Sequence, residues 1–261
     1  MGWKTGFDYL RGIAGRHGLD GKERREDQGL PLGARIGSVV QMQHSPFIRA
    51  QSNGSLIAMP DAGDTRILAV SQLTLSLSGA LYRFYLATGD ADAKEKFLQV
   101  YREADGKIAE VMYCTQLARV VPETAEDQDA YTGVSGVGLG DASYTLWREQ
   151  LADTLSEAEL ANVFGDGDRL DYSRDAGNTQ DAFVAPFTGQ EVRIDDAAGV
   201  SGLKQEIYFM PYVRELAGGG REYLLITTEI IASVNGDTSK RGIHVDFVIG
   251  LPIEQERIVI Q

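Results

Sequence analysis

Cysteine is almost absent from this chain of 261 residues, and Cys114 is the only one. One cysteine forms no internal disulfide, which excludes the disulfide frameworks of small secreted domains and predicts a reducing, cytoplasmic environment. Cys114 lies inside an apolar predicted strand, and no basic residue that would stabilise a thiolate stands beside it. We therefore expect an inert, buried thiol.

Long apolar runs are also missing. Charge and glycine interrupt residues 1–18 throughout, so this segment lacks the apolar core of a signal peptide. No apolar run approaches the ~20 residues that a membrane-spanning helix needs. These absences predict a soluble cytoplasmic protein.

Motifs for catalysis and for cofactors are scarce. The histidines His17, His44 and His244 lie far apart, and none has metal-ligand spacing to another histidine or to the cysteine. His244 lies beside core positions of a predicted strand, which favours a structural role. The glycine-rich stretch 133–140 resembles a phosphate-binding loop in composition but lacks its Lys-Ser/Thr pair, so we favour a flexible hinge. We expect no catalytic residue, no metal and no cofactor.

Positive charge is scarce, and the net charge of −13 makes nucleic acid an unfavourable partner. Residues 1–25 are the exception, with six basic residues against three acidic ones. In this basic arm Trp3, Phe7 and Leu10 recur at helical spacing, which is typical of an amphipathic helix that contacts a membrane surface. Its many glycines favour instead a frayed terminus that packs on the domain.

Alternating apolar and polar residues are abundant in the C-terminal part of the chain. Three segments, 206–214, 222–234 and 243–251, show period-two alternation between turn signals, which predicts antiparallel strands. The middle segment is apolar on both faces, so we expect it to be central and covered on both sides. Earlier in the chain, Asp105-Gly106 is typical of a hairpin turn with positive φ at both positions.

Helix signals are concentrated in the middle of the chain. Asp141 is placed to cap a helix over 142–153, and Ser156 with Glu159 forms a capping box for a second helix over 157–164. On the first of these helices Tyr144, Trp147 and Arg148 would share one face. Large rings beside an arginine are typical of anchors that bind a partner. The alternative is that Trp147 packs into the β core while Arg148 pairs locally.

These patterns predict a mainly β (α+β) fold with antiparallel sheets. We expect a basic arm and linker (1–29), a β-rich half (30–122), an acidic, glycine-rich and helical insert (123–182) and a second β-rich half (183–261). The hairpin around 100–108 is similar to the one around 212–223, which suggests that the two halves are related.

Three short motifs carry a resemblance to a known family. They are Leu-Pro-Leu-Gly-Ala-Arg-Ile-Gly at 30–37, Asp-Ala-Ser-Tyr-Thr-Leu-Trp at 141–147 and Tyr-Leu-Leu-Ile at 223–226. Together they resemble the YjfK-like bacterial family, a domain of unknown function. The resemblance implies a genomic context of phage-shock-protein-A-like membrane-stress proteins, small membrane proteins and glutathionylspermidine-synthase-like enzymes. It implies no catalytic residues, and it does not extend to the basic arm.

The absence of a site, together with this context, predicts a non-enzymatic binding or assembly module in a bacterial envelope- or membrane-stress system, with a protein as partner. The alternative is an enzyme or binder that acts on a small cationic, polyamine-like ligand, because an acidic protein attracts cations. A local excess of acid for that role comes from Glu123, Glu126, Asp127 and Asp129.

Overall fold

The computed structural model describes residues 27–88, 94–196, 203–234, 237, 239 and 241–261. The predicted membrane-contacting arm with Trp3, Phe7 and Leu10 lies outside these residues. The described part contains twelve strands and three α-helices. The strands are β1 (Val39–Met42), β2 (Thr65–Leu75), β3 (Ala80–Leu86), β4 (Lys96–Arg102), β5 (Ile108–Val120), β6 (Ser143–Trp147), β7 (Arg169–Arg174), β8 (Phe187–Arg193), β9 (Leu203–Glu215), β10 (Arg221–Val234), β11 (Gly242–Pro252) and β12 (Ile258–Ile260). The helices are α1 (Ser45–Ser52), α2 (Ala125–Thr132) and α3 (Glu157–Phe164).

Eight of the strands close into one antiparallel barrel. Around it they follow the order β2–β3–β4–β5–β11–β10–β9–β8, and β8 returns to β2 through pairs such as Ser71 with Arg193. This seam needs a glycine, because a Cβ on Gly189 would lie 1.9 Å from the carbonyl oxygen of Thr74. The prediction of a mainly β, antiparallel fold is therefore confirmed.

The remaining strands extend the sheet on the outside of the barrel. β1 pairs with β2 and with β12, whereas β7 pairs with β9 and with β6. Two of the helices contribute to a core over the outer face of the barrel: Phe47 of α1 contacts Tyr113 of β5 with ring centroids 5.0 Å apart, and Leu160 of α3 is buried in the same core. No helix among the described residues is long and apolar enough to cross a membrane.

The predicted C-terminal strands are present as β9, β10 and β11. β10 lies between the other two, and Leu224, Leu225 and Ile226 are buried on its two faces. The Asp105-Gly106 hairpin joins β4 to β5 as predicted. Its turn is longer than expected, since Glu103 and Lys107 close it by a backbone hydrogen bond of 2.8 Å. Gly106 has a positive φ, but Asp105 does not.

The two β-rich halves have the same strand order. β2–β3–β4–β5 and β8–β9–β10–β11 are both meanders, and the halves join where β5 pairs with β11 and where β2 pairs with β8. This arrangement makes β4 equivalent to β10, whereas the sequence similarity aligns the β4–β5 hairpin with the β9–β10 hairpin. A common origin of the halves, and the division into separate segments, stay predictions.

The prediction of a helix over 142–153 was wrong. The segment forms β6, which pairs with β7 from Ser143 opposite Ser173 to Trp147 opposite Arg169, and then a short 3-10 turn over Arg148–Leu151. Thr145 and the aromatic residues Tyr144 and Trp147 favour an extended chain here once a neighbouring strand is available. Asp141 caps no helix and instead accepts a hydrogen bond from the N–H of Gly138 at 3.0 Å.

The second predicted helix is confirmed as α3. Ser156 Oγ accepts the N–H of Glu159, and the Glu159 carboxylate accepts the N–H of Ser156 at 2.8 Å. In the glycine-rich stretch 133–140, where a hinge was expected, three glycines (Gly133, Gly138 and Gly140) are closely packed against neighbouring backbone. A Cβ on Gly138 would lie 2.3 Å from the carbonyl oxygen of Ala130, and one on Gly140 would lie 2.2 Å from that of Val184.

Candidate functional site

The interior of the barrel is apolar at one end and charged at the other. Along β10 the inward positions run from Tyr223 and Leu225 to Thr227 and Glu229, because alternate residues of a strand face the same side. The inward side chains of β3 and β11 also change from apolar to charged towards this end of the barrel. The charged end lies where β3, β5, β8 and β10 finish and β4, β9 and β11 begin.

Seven side chains at this end form a continuous row of alternating charge, which we name the inner ion chain. In order along the row they are Glu95, Arg119, Asp246, His244, Glu229, Arg83 and Glu191. Three strands and the residue before β4 supply the first five members, and β3 and β8 supply the last two. The row therefore crosses the inside of the barrel.

The first part of the chain is held by Arg119. Its guanidinium donates two hydrogen bonds to the Asp246 carboxylate and lies 3.6 Å from Glu95 Oε1. Asp246 also accepts a hydrogen bond of 3.0 Å from Gln116 Nε2. Charge-assisted, two-pronged contacts of this kind fix both the position and the orientation of a carboxylate.

His244 links the two parts of the chain. Its Nε2 lies 2.7 Å from Glu229 Oε2 and 3.9 Å from Asp246 Oδ2. Glu229 and His244 are direct partners in the β10–β11 ladder, and Asp246 follows His244 by two residues on the same face. The pleat of two adjacent strands thus brings an imidazole and two carboxylates together.

Arg83 holds the most buried part of the inner ion chain in place. It donates hydrogen bonds to Glu191 Oε2 at 2.9 Å and to Thr227 Oγ1 at 3.0 Å, and it lies 3.5 Å from Glu229 Oε1. Glu191 also accepts the Tyr85 hydroxyl at 2.7 Å. The side chains of Arg83 and Glu191 are each 4% exposed, whereas Glu95 is 21% and Arg119 24% exposed. The inner ion chain is therefore closest to solvent at its Glu95 end.

Burial and pairing shift the pKa values along the chain in opposite directions. Burial alone would raise the pKa of Glu229, but the hydrogen bond and charge of His244, together with the charge of Arg83, lower it to about 2. Burial alone would lower the pKa of His244, but its hydrogen bond to Glu229 and the charge of that carboxylate raise it. Both shifts favour the charged forms, a Glu229 carboxylate beside a protonated His244.

The carboxyls at the two ends of the chain shift the other way. Burial raises the pKa of Glu95 to about 7, and the charge of Arg119 opposes this only in part. Burial likewise raises the pKa of Glu191 against the charge of Arg83. The charges of neighbouring carboxylates add to the effect of burial on both pKa values, because four carboxyls stand against two arginines and one histidine in the inner ion chain.

Two buried polar atoms at the same end have no hydrogen-bond partner among the described residues. One is Gln205 Oε1, and the Nε2 of the same amide lies 3.4 Å from Glu191 Oε2. The other is Arg193 Nη1, although the same guanidinium donates twice to Asp195 at 2.8 Å. Unsatisfied buried polar atoms are uncommon in folded proteins and mark places where a further group can bind.

A second polar network lies on the outer face and is structural. The fully buried Glu222 carboxylate accepts the Tyr172 hydroxyl at 2.7 Å, Arg214 Nε at 2.8 Å and the Leu56 N–H at 2.7 Å. The carboxylate, the hydroxyl, the guanidinium and the backbone N–H are all paired in this network, and they hold the segment after α1 against the barrel. Such a network offers no open position for a ligand.

The predicted partner-binding residues do not share one face. Tyr144 packs inward on Tyr212 and Phe247 with ring centroids 5.8 and 5.7 Å away. Trp147 is 40% exposed on β6, and the Arg169 guanidinium lies 5.9 Å from its ring. Residues three apart on a strand point to opposite sides, which separates these two rings. Arg148 is in the 3-10 turn and pairs with Glu157 at 3.2 Å. Their role in binding stays a prediction.

Sequence reasoning did not identify the inner ion chain. The available signal was the presence of single charged residues at inward positions of otherwise apolar strands, namely Arg83, Glu229 and Asp246. His244 and Asp246 also stand two apart, which places them on one face of a strand. By contrast, Cys114 is buried, and burial raises the pKa of its thiol, as expected for an inert cysteine.

Comparison with protein families assigns the chain. Residues 19–259 match the family described as "Protein of unknown function (DUF2491)". The chain belongs to this family. Neither a curated protein nor a solved structure matches it. Membership supplies no substrate and no site residue.

Proposed function

We propose that this DUF2491 protein is a non-enzymatic binding module that takes a small cation at the charged end of its barrel. The observation that carries the proposal is the inner ion chain, in which four carboxyls are set against two arginines and one histidine. An uncompensated buried carboxylate is costly, so a surplus of acid favours uptake of positive charge. At neutral pH that charge is a proton near Glu95 or a bound cation.

The proposed site for a polyamine-like ligand is the inner ion chain, and not the acidic residues before and in α2 that the sequence suggests. Glu123, Glu126 and Asp127 lie exposed at and before the start of α2, so they form an open surface. Solvent screens charges at such a surface strongly. The inner ion chain lies inside the barrel, where the local dielectric constant is lower and the attraction between a carboxylate and an amine is larger.

Calorimetric titration of the full chain with spermidine, putrescine and ammonium at pH 7.5 and fixed ionic strength tests the proposal. We expect saturable binding, and a Glu191→Gln variant that removes one surplus carboxyl should weaken it roughly tenfold, the equivalent of about 1.4 kcal/mol. Glu126→Gln, which removes one exposed acid from α2, is the matched control and should bind like the wild type. Binding lost equally in both variants, or replaced by a response to sodium chloride, contradicts an interior site.

A second candidate function is supported by the outer surface. Trp147 is 40% exposed on the edge strand β6, and beside it an open cleft of about 490 Å³ is lined by residues of β7 and β9, among them Arg169, Asp171 and Arg214. Exposed tryptophan beside arginine is typical of protein interfaces. We propose a protein partner here, as in an assembly module of an envelope- or membrane-stress system.

A pull-down from native cells under envelope stress, with wild type and Trp147→Ala compared, tests this second candidate. Loss of one specific partner in the variant supports it, whereas the same proteins in both samples, or none, oppose it. Peripheral membrane contact through Trp3, Phe7 and Leu10 is a further proposal. Vesicle flotation of the full chain and of a chain without residues 1–25 tests that contact, and equal partitioning contradicts it.

A further inference from the structure

The three central members of the inner ion chain have the geometry of a metal site. His244 Nε2, one oxygen of Glu229 and one oxygen of Asp246 lie within 4.8 Å of one another. Two of the separations are 2.7 Å and 3.9 Å. A metal bound at about 2.1 Å to each ligand in tetrahedral geometry requires separations of about 3.4 Å. The two separations lie on either side of this value.

We propose that Glu229, His244 and Asp246 bind one divalent first-row transition metal ion. This inference rests on the proposed function, because it names the cation that the charged end takes. One imidazole and two carboxylates suit Zn²⁺, Mn²⁺ or Fe²⁺, whereas Mg²⁺ and Ca²⁺ favour all-oxygen sites. Three protein ligands leave at least one coordination position for water or a further group.

Charge supports a divalent ion. A histidine that ligates a metal is neutral, so the inner ion chain then contains four carboxylates and two arginines. With all four carboxylates ionised, this set has a charge of −2, which a divalent cation neutralises. A monovalent ion would leave one negative charge buried, at a high desolvation cost.

The surroundings hold the ligands as the outer shell of a metal site does. Arg119 and Gln116 donate hydrogen bonds to Asp246, and Arg83 lies 3.5 Å from Glu229 Oε1, the oxygen that faces away from His244. Outer hydrogen bonds of this kind orient ligating carboxylates and leave their other lone pairs for the metal.

The expectation that His244 binds no metal came from the spacing of histidines and of the cysteine. His244 has no second histidine or cysteine near it in the described residues, and its potential co-ligands are carboxylates from its own strand and from the adjacent one. A site built from cross-strand neighbours shows no short sequence motif, because strand pairing and not sequence spacing brings the ligands together.

Titration of the metal-stripped full chain with Zn²⁺, Mn²⁺ and Co²⁺ tests the inference. We expect one Zn²⁺ per chain with a dissociation constant in the micromolar range or tighter, and visible Co²⁺ absorption typical of four or five ligands. His244→Gln should weaken Zn²⁺ binding at least a hundredfold. His44→Gln, which removes the histidine at the N-cap of α1 and leaves the inner ion chain intact, is the matched control and should bind like the wild type.

The outcomes separate this inference from the proposed function. Spermidine binding without Zn²⁺ or Co²⁺ binding overturns the metal site and leaves the cation-binding barrel standing. Zn²⁺ binding that His244→Gln and His44→Gln weaken equally also overturns it. Should His244→Gln fail to fold, the Co²⁺ spectrum of the wild type decides, since a spectrum identical to that of hydrated Co²⁺ contradicts protein ligation. Binding of neither metal nor amine overturns both proposals.

Discussion

Glu229 and His244 face each other directly across the β10–β11 ladder, with the carboxylate and the imidazole 2.7 Å apart inside the barrel. This pair joins the outer part of the inner ion chain to its most buried part at Arg83 and Glu191. The barrel therefore depends on a set of charges that have to be satisfied together, because a buried network that loses one member leaves the others unpaired.

The first prediction concerns this pair in metal-free protein. Glu229→Gln removes the partner of a largely buried imidazolium and leaves Arg83 with fewer acceptors, so we expect a loss of roughly 3–5 kcal/mol in the free energy of unfolding. Urea denaturation measures it. The double variant Glu229→Gln/His244→Gln should lose less than the sum of the two single variants, since the pair acts as a unit. Strict additivity would show that the two groups are not coupled.

Glu95 predicts a pH dependence of stability. Burial raises its pKa from an ordinary value of 4.5 to about 7, and Arg119 is the charge that opposes this. The other charged groups that act on Glu95 are carboxylates that raise its pKa further: Asp246, Glu229 and Glu191. Because the folded pKa is the higher one, the stabilising contribution is complete below about pH 4.5 and is lost as the pH rises through about 7.

Glu95→Gln stays neutral at every pH and isolates this effect. We expect the variant and the wild type to be similar in stability near pH 4, and the variant to be more stable near pH 8.5 by roughly 1–3 kcal/mol. Urea unfolding at a series of pH values measures the difference. Two stability curves that run parallel across this range would show that Glu95 has an ordinary pKa in the folded protein.

Barrel closure predicts the effect of a single methyl group at Gly189. A Cβ there would lie 1.9 Å from the Thr74 carbonyl oxygen, so Gly189→Ala forces β8 away from β2. We expect a loss of about 2 kcal/mol or more, at the upper end of the range for overpacking. Gly63→Ala is the control, because a Cβ at Gly63 meets nothing within 4 Å, and it should change stability by less than about 0.5 kcal/mol. Equal effects of the two substitutions would contradict a glycine requirement at the seam.

The capping box of α3 gives the last prediction. Ser156→Ala should cost about 1 kcal/mol, the usual value for loss of an N-cap. Hydrogen bonds from Ser156 lower the pKa of Glu159. Because the folded pKa is the lower one, the contribution of Glu159 is present above its unfolded pKa and is lost as the pH falls through the folded value. Glu159→Gln should therefore differ from wild type at pH 7 and converge with it in acid, as thermal unfolding will show.

Local signals in the sequence predicted local structure well. The alternation in β9–β11 and the Ser156/Glu159 capping box each depend on residues close in the chain, and both are confirmed. The helix prediction for segment 142–153 was wrong because pairing with β7 outweighs the helical spacing of Tyr144 and Trp147. The inner ion chain also depends on long-range pairing, since β3, β5, β8, β10 and β11 have to close before its members meet. No pattern within one segment contains that information.

The shared strand order of the two halves has a consequence for folding. Each meander forms between strands that follow one another along the chain, whereas the two seams join β2 to β8 and β5 to β11 across long stretches of sequence. Contacts between distant residues form slowly because closing a long loop costs chain entropy. We expect the meanders to assemble early and the seams late. Until the seams close, four strand edges remain free to pair with other molecules, so folding in dilute solution should give the higher yield.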